Sequence, residues 1–273
     1  TVNLGKDAVI TSSNGTIDTT GQNVTLSGTV SGAGQLVKAG SGKFTLTGDN
    51  TFEGGVRIKA GVLEVNKDNA LGKETGDVFI DGATLAVTQD AELKRNLILT
   101  EKGGTVSVVA GTATLEGNLS LDAGVLSADF TKAGAGNLNL TTDNTSSGFK
   151  GNTIIKAGTL GITSQNNLAQ GKLFLDGGNL RTNASLTFNK EIIINTTGGI
   201  DTALDALGSK TEVTVSSKVQ GNGAFVKSGE GTLTLSGDNA YAGGTQVNGG
   251  VLVVNDDKNL GLQSTAITLN GGT

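Results

Sequence analysis

The chain has 273 residues, including 44 Gly, eight Phe and one Tyr, and it contains no Cys, Met, His, Trp or Pro. Without imidazole or thiol groups it cannot build Ser-His-Asp or Cys-His nucleophiles, or imidazole- and thiolate-bound metal centres. A net charge of −5, with basic residues scattered singly apart from Lys94-Arg95, argues against nucleic acid.

In chain order, the first clear strand signal is Val24-Thr25-Leu26-Ser27, in which apolar and hydroxyl side chains alternate. Lys43-Phe44-Thr45-Leu46-Thr47, Val56-Arg57-Ile58-Lys59 and Leu63-Glu64-Val65 continue the scheme, and Thr232-Leu233-Thr234-Leu235-Ser236 restates it near the end. Period-two alternation over four or five residues marks half-buried strands. Turn clusters separate them: Gly48-Asp49-Asn50, Gly54-Gly55, Ala60-Gly61, and later Gly237-Asp238-Asn239, Gly243-Gly244 and Gly249-Gly250. Gly and Asn are the residues expected to supply positive φ in such turns. Phe44, Phe52, Phe79 and Phe174 are expected as fillers of a narrow interior.

Residues 32–72 and 221–261 align without a gap over 41 positions, of which 21 are identical, and a third copy begins at Lys132 with a short insertion near Ser146-Ser147-Gly148. A period of about 94 residues means one structural unit stacked on itself. The fold class expected is all-β, a right-handed parallel β-helix (β-solenoid) of about 13 coils at roughly 20 residues each, in a rod of about 60 Å. One β-helical fragment is expected over residues 1–273, with internal repeats at about 24–117, 118–212 and 213–273, the last incomplete. Chemically matched residues, such as Leu46, Leu140 and Leu235, are expected to stack. No stretch reaches the ~20 apolar residues of a membrane helix. A chain that starts at Thr1 and stops part-way through a repeat at Gly271-Gly272-Thr273 reads as part of something longer.

Residues 225–245, from Phe225-Val226-Lys227-Ser228-Gly229 through Leu235-Ser236-Gly237-Asp238-Asn239 to Tyr241-Ala242-Gly243-Gly244-Thr245, with Gly250-Val251-Leu252-Val253-Val254 after them, resemble the passenger-associated repeat of bacterial autotransporters. Residues 36–65 are a second match, with Phe52 in the place of Tyr241. Residues 130–162 are a degenerate third, with Thr142 for Gly48 and Asn152 for the second Gly of the pair. The resemblance implies a passenger exported across the outer membrane to the bacterial surface through its own C-terminal barrel. It implies a role in adhesion or self-association, with repeats that aid secretion and folding. The partners implied are a host-cell surface or extracellular matrix component, or another copy of the chain. The motif itself carries no functional residue, because activities in this family sit in appended domains or loops.

Carboxylate-pair hydrolysis would need acids converging on a groove. The candidates are Asp201 with Asp205, and Asp256 with Asp257, each also readable as a solvated turn residue. Asp49-Asn50, Asp143-Asn144 and Asp238-Asn239 recur in register and raise the question of calcium, but the nine-residue spacing of calcium-binding β-rolls is missing, so capping turns are expected. No catalytic residue, metal or cofactor is assigned. Binding candidates are confined to departures from the repeat, where insertions leave a solenoid as loops: Ser146 and Ser147 in one, Asp205, Ser209 and Lys210 in the other.

Overall fold

The computed structural model describes residues 1–263 and 265–273. The protein is an all-β solenoid of about 13 turns in which successive coils pair in parallel, with almost no helix. Contacts gather into two units, residues 1–138 with 144–150, and residues 139–143 with 151–273.

In the first unit one parallel ladder runs through Val24–Leu26, Lys43–Leu46, Val62–Val65, Thr84–Val87 and Gly104–Val108. A second runs through Gly15–Asp18, Leu36–Ala39, Val56–Ile58, Val78–Ile80, Leu97–Leu99 and Leu119–Leu121. A short third face pairs Ala91–Leu93 with Thr112–Leu115. The alternating pattern decides which side chains enter the coil. Phe44 and Leu46 are fully buried, while Thr45 points out, in register with Thr25 and Glu64.

The second unit shows three ladders. They are Thr153–Ile155, Leu173–Leu175, Ile192–Ile194 and Val219–Gly221; then Thr159–Ile162, Asn179–Thr182, Gly198–Thr202, Phe225–Ser228 and Thr245–Val247; then Leu186–Phe188, Glu212–Val215, Thr232–Leu235 and Val251–Val254. Short strands of three to five residues suffice, because each is covered above and below by the neighbouring coil.

Three expectations are corrected. Leu46 is paired with Leu26 and Val65, and Leu235 with Val215 and Val254, so vertical neighbours come from adjacent coils about 20 residues away rather than from equivalent places in the long repeat. Phe79 and Phe174 are not interior: Val78 and Ile80, and Leu173 and Leu175, occupy the inward positions of their strands, so period-two geometry turns both rings outward. Phe44 and Phe52 are interior as expected. Positive φ belongs to Gly alone among the described residues, and the turn asparagines do other work.

Candidate functional site

The four candidate carboxylates are each held by separate local structure. Asp201 lies on the outward side of Gly198–Thr202, where its Oδ2 accepts from Arg181 Nε at 2.7 Å. Asp205 organises its own turn, its Oδ1 accepting from the Leu207 amide at 2.9 Å and the Ser209 amide at 2.8 Å. An antiparallel bridge between Leu204 and Lys210 closes that hairpin, and its tip, Leu207, is 91% exposed. Asp256 caps the short 3₁₀ turn Asp257–Leu260 by accepting from the Lys258 amide at 3.1 Å, and Asp257 lies exposed in its first turn. In the other insertion Ser147 turns inward, its hydroxyl within hydrogen-bond distance of the Leu119 carbonyl (2.9 Å) and the Asn144 carbonyl (2.7 Å), while Ser146 stays exposed. A second projecting loop, residues 122–128, carries Leu126 at 85% exposure; nothing in the repeat pattern singled it out.

The turn asparagines join coils. Asn50 accepts from the Val30 amide at 2.7 Å and donates to the Ala70 carbonyl at 2.5 Å, reaching the coil below and the coil above. Asn239 does the same with the Val219 amide (2.8 Å) and the Asn259 carbonyl (2.5 Å), and Asn144 accepts from the Leu119 amide at 2.9 Å. All three are buried. A side-chain amide, with one acceptor and two donors, satisfies backbone groups that the bend takes out of the ladder.

A second device was not singled out from the sequence. Lys38, Lys132 and Lys227, one per repeat, are fully buried. The Lys227 ammonium donates to the carbonyls of Ser228 (2.8 Å), Gly229 (2.9 Å) and Gly249 (2.9 Å). Lys38 reaches Ala39, Gly40 and Ala60 in the same way, and Lys132 reaches Ala133 and Gly134. Each stem lies in the core and each charge meets a cradle of carbonyls at the corner. The glycine two residues on explains the motif: Gly40, Gly134 and Gly229 have φ of 76°, 74° and 77°. A Cβ would strike Asp18 and the Thr20 amide at the first, the Val108 carbonyl at the second, and Asp201 and the Thr202 carbonyl at the third. Burial pushes the Lys132 and Lys227 amines down to about 8, with Asp201 pulling weakly the other way on Lys227. Burial also lowers Lys38, opposed by Asp18.

Close by, Phe52, Phe149 and Tyr241 fill the same interior place of each repeat. Tyr241 hydrogen-bonds Thr245 Oγ1 at 2.7 Å, and burial pushes its hydroxyl up to about 12.

An open groove of about 530 Å³ in the first unit is lined by Lys67, Asp68, Asp90, Glu92, Thr112 and Thr114. Two of its three acids serve the fold. Asp68 accepts from buried Arg95 at 2.8 and 2.9 Å, and Asp90 accepts from the Thr112 amide at 2.7 Å. No group of three or more acidic residues among the described residues is arranged to hold a metal ion.

Comparison with known proteins fits this picture. Residues 36–65, 130–162 and 225–254 match the passenger-associated-transport-repeat family. The chain is 41% identical over 136 residues to the adhesin BmaC autotransporter of Brucella suis biovar 1 (strain 1330), which is 49% of this chain and 4% of that protein. It is 25% identical over 268 residues to the uncharacterized lipoprotein YdeK of Escherichia coli (strain K12), 82% of this chain and 20% of that one. The chain therefore spans a small part of either relative. No solved structure matches it. The repeats and the adhesin likeness support an autotransporter passenger domain. No helix among the described residues is long and apolar enough to cross a membrane.

Proposed function

We propose that this stretch of autotransporter passenger is a surface-displayed stalk. It serves adhesion to host or other bacterial cells, self-association, or both, while its repeats aid folding and secretion. The observation that carries the reading is where the repeats fall. The three matched segments contain Lys38, Lys132 and Lys227, and Asn50, Asn144 and Asn239, so what recurs is the machinery that fastens one coil to the next. A solenoid built from nearest-neighbour contacts can fold progressively as it leaves a pore, which would favour outward movement. Repeated polar rows then offer many weak contacts whose avidity adds up. The partners in this reading are a host-cell or matrix surface, a second copy, and the C-terminal outer-membrane barrel of the full-length protein.

Deleting residues 221–254 from the full-length protein is expected to reduce surface display, measured by surface labelling and flow cytometry. Cells displaying the intact passenger are expected to aggregate or bind a host or matrix layer. Undiminished display after the deletion would reject the folding role, and display without adhesion would leave the segment as a spacer. The spacer reading is favoured by one observation: Lys38, Lys132 and Lys227 and Asn50, Asn144 and Asn239, which all three repeats share, are buried.

A further inference from the structure

One face of the second unit carries three apolar residues in a row at its outward positions. Some other outward columns carry hydroxyls and acids, as in Thr25, Thr45 and Glu64, or Thr214 and Thr234, and the first unit sets Phe79 beside Ile98. On the ladder Thr153–Ile155, Leu173–Leu175, Ile192–Ile194, the outward positions are Ile154, Phe174 and Ile193, directly above one another in register. All three are only partly covered. Residues two places before and after share their face. Lys172 and Glu191 flank one side, paired at 2.9 Å, and Asp176 and Asn195 flank the other, with Asn195 Nδ2 donating to Asp176 at 2.8 Å. Gln220, which donates to Glu191 at 2.5 Å, closes the column at the next coil. An apolar centre inside a polar rim is the anatomy of a protein interface.

The first unit shows what a covered version looks like. There Phe79 occupies the equivalent outward place, and the Arg57 guanidinium lies over its ring at 4.3 Å, held in turn by Asp122 at 3.4 Å. The second unit has Ile154 where the first has Arg57. The charged cover is replaced by more apolar surface.

We infer that this face of Ile154, Phe174 and Ile193 is a self-association surface, occupied by the same face of a second copy lying alongside in parallel. The rim charges select that arrangement. A twofold axis along the coil-stacking direction sets the Lys172 side of each copy against the Asp176 side of the other at the same coil level. An antiparallel alternative with its twofold through the Phe174 coil sets Lys172 against Lys172 and Asp176 against Asp176. Three apolar side chains make a weak contact, suited to a protein that gains avidity by crowding on a surface. The inference rests on the self-associating half of the proposed function and assigns it a place.

Sedimentation equilibrium of the 273-residue chain at low ionic strength tests it. The wild type is expected to show a concentration-dependent dimer. Phe174→Asp is expected to weaken it on the order of tenfold or more, since a charge then sits at the centre of the contact. Asp176→Lys is expected to weaken it about fivefold, and Lys172→Asp combined with Asp176→Lys to restore it, because surface charge pairs contribute at that scale. These side chains point outward, so circular dichroism of each variant is expected to match the wild type. A monomeric wild type, or dimerisation indifferent to Phe174→Asp and the charge exchange, overturns the assignment. If displayed cells still aggregate with Phe174→Asp, the adhesive reading stands and this surface does not.

Discussion

The inside corner of each coil and the outer face of its neighbouring strand obey different rules. At the corner the three repeats agree: Lys38, Lys132 and Lys227 are each followed two residues later by a glycine with φ near 75°, and Asn50, Asn144 and Asn239 each reach into an adjacent coil. On the outer face the same repeats diverge, with Arg57, Ile154 and Gln246 in one place. Interior corners have few solutions, because every buried amide, carbonyl and charge there needs a partner. The outer face meets water and tolerates many. The repeat therefore records the requirements of stacking, and whatever distinguishes one coil's binding from another is written where the copies disagree.

The comparison is broken most severely at the corner glycine. Gly229→Ala adds a Cβ against Asp201 and the Thr202 carbonyl at a φ of 77°. A cost of about 3 kcal/mol is expected, read as a lower denaturation midpoint. Asn239→Ala strands the Val219 amide and the Asn259 carbonyl, and about 2 kcal/mol is expected, with faster amide exchange at Val219 as the local signature.

Lys227→Met keeps the stem and removes the ammonium, so the carbonyls of Ser228, Gly229 and Gly249 lose a donor. A loss of about 1 kcal/mol is expected near neutral pH, because relief of the buried charge offsets part of the lost bonding. The same variant sharpens the comparison through pH. Burial holds the Lys132 and Lys227 amines down at about 8 in the folded chain, against the ordinary lysine value of 10.5. Between those values the unfolded chain binds more protons, so stability rises with pH. Above pH 10 Tyr241 opposes the trend, because its folded-state value is raised to about 12. Denaturation midpoints are therefore expected to climb from pH 7.5 to 10, and to climb less steeply in Lys227→Met. The smallest effect belongs outside. Ile154→Gln, which installs the kind of residue the third repeat carries there, is expected to change stability by no more than about 0.5 kcal/mol.

Much of this architecture was legible because a 20-residue coil imposes its pattern on letters. The alternation in Lys43-Phe44-Thr45-Leu46 and the 41-position match between distant segments led to parallel stacked coils, and the passenger-associated repeat was readable in three segments. What stayed hidden needed register. Phe79 and Phe174 read as core by composition, yet a shift of one residue along a three-residue strand sends a ring outward. Lys38 and Lys227 read as ordinary basic residues, since only the fold shows an ammonium closed in by carbonyls; their recurrence at one place before a glycine was the available signal. The turn asparagines were readable as capping residues, but not that their partners lie one coil away. The loop candidates could be located but not sorted: Ser147 fastens its turn inward, whereas the Asp205 hairpin projects Leu207.

Parallel pairing of successive coils underlies every other statement, and engineered disulfides test it directly in a chain without cysteine. The outward residues Glu212 and Thr214 pair with Thr232 and Thr234 respectively. Parallel neighbours sit about 4.8 Å apart, inside the Cα range of a disulfide, while partners offset by two residues lie beyond it at roughly 8 Å. The account predicts that mild oxidation cross-links Glu212→Cys with Thr232→Cys, and Thr214→Cys with Thr234→Cys, quantitatively and without loss of the strand signal in circular dichroism. Cross-linking instead of Glu212→Cys with Thr234→Cys, and of Thr214→Cys with Thr232→Cys, would mean that the two strands run in opposite directions and would contradict it.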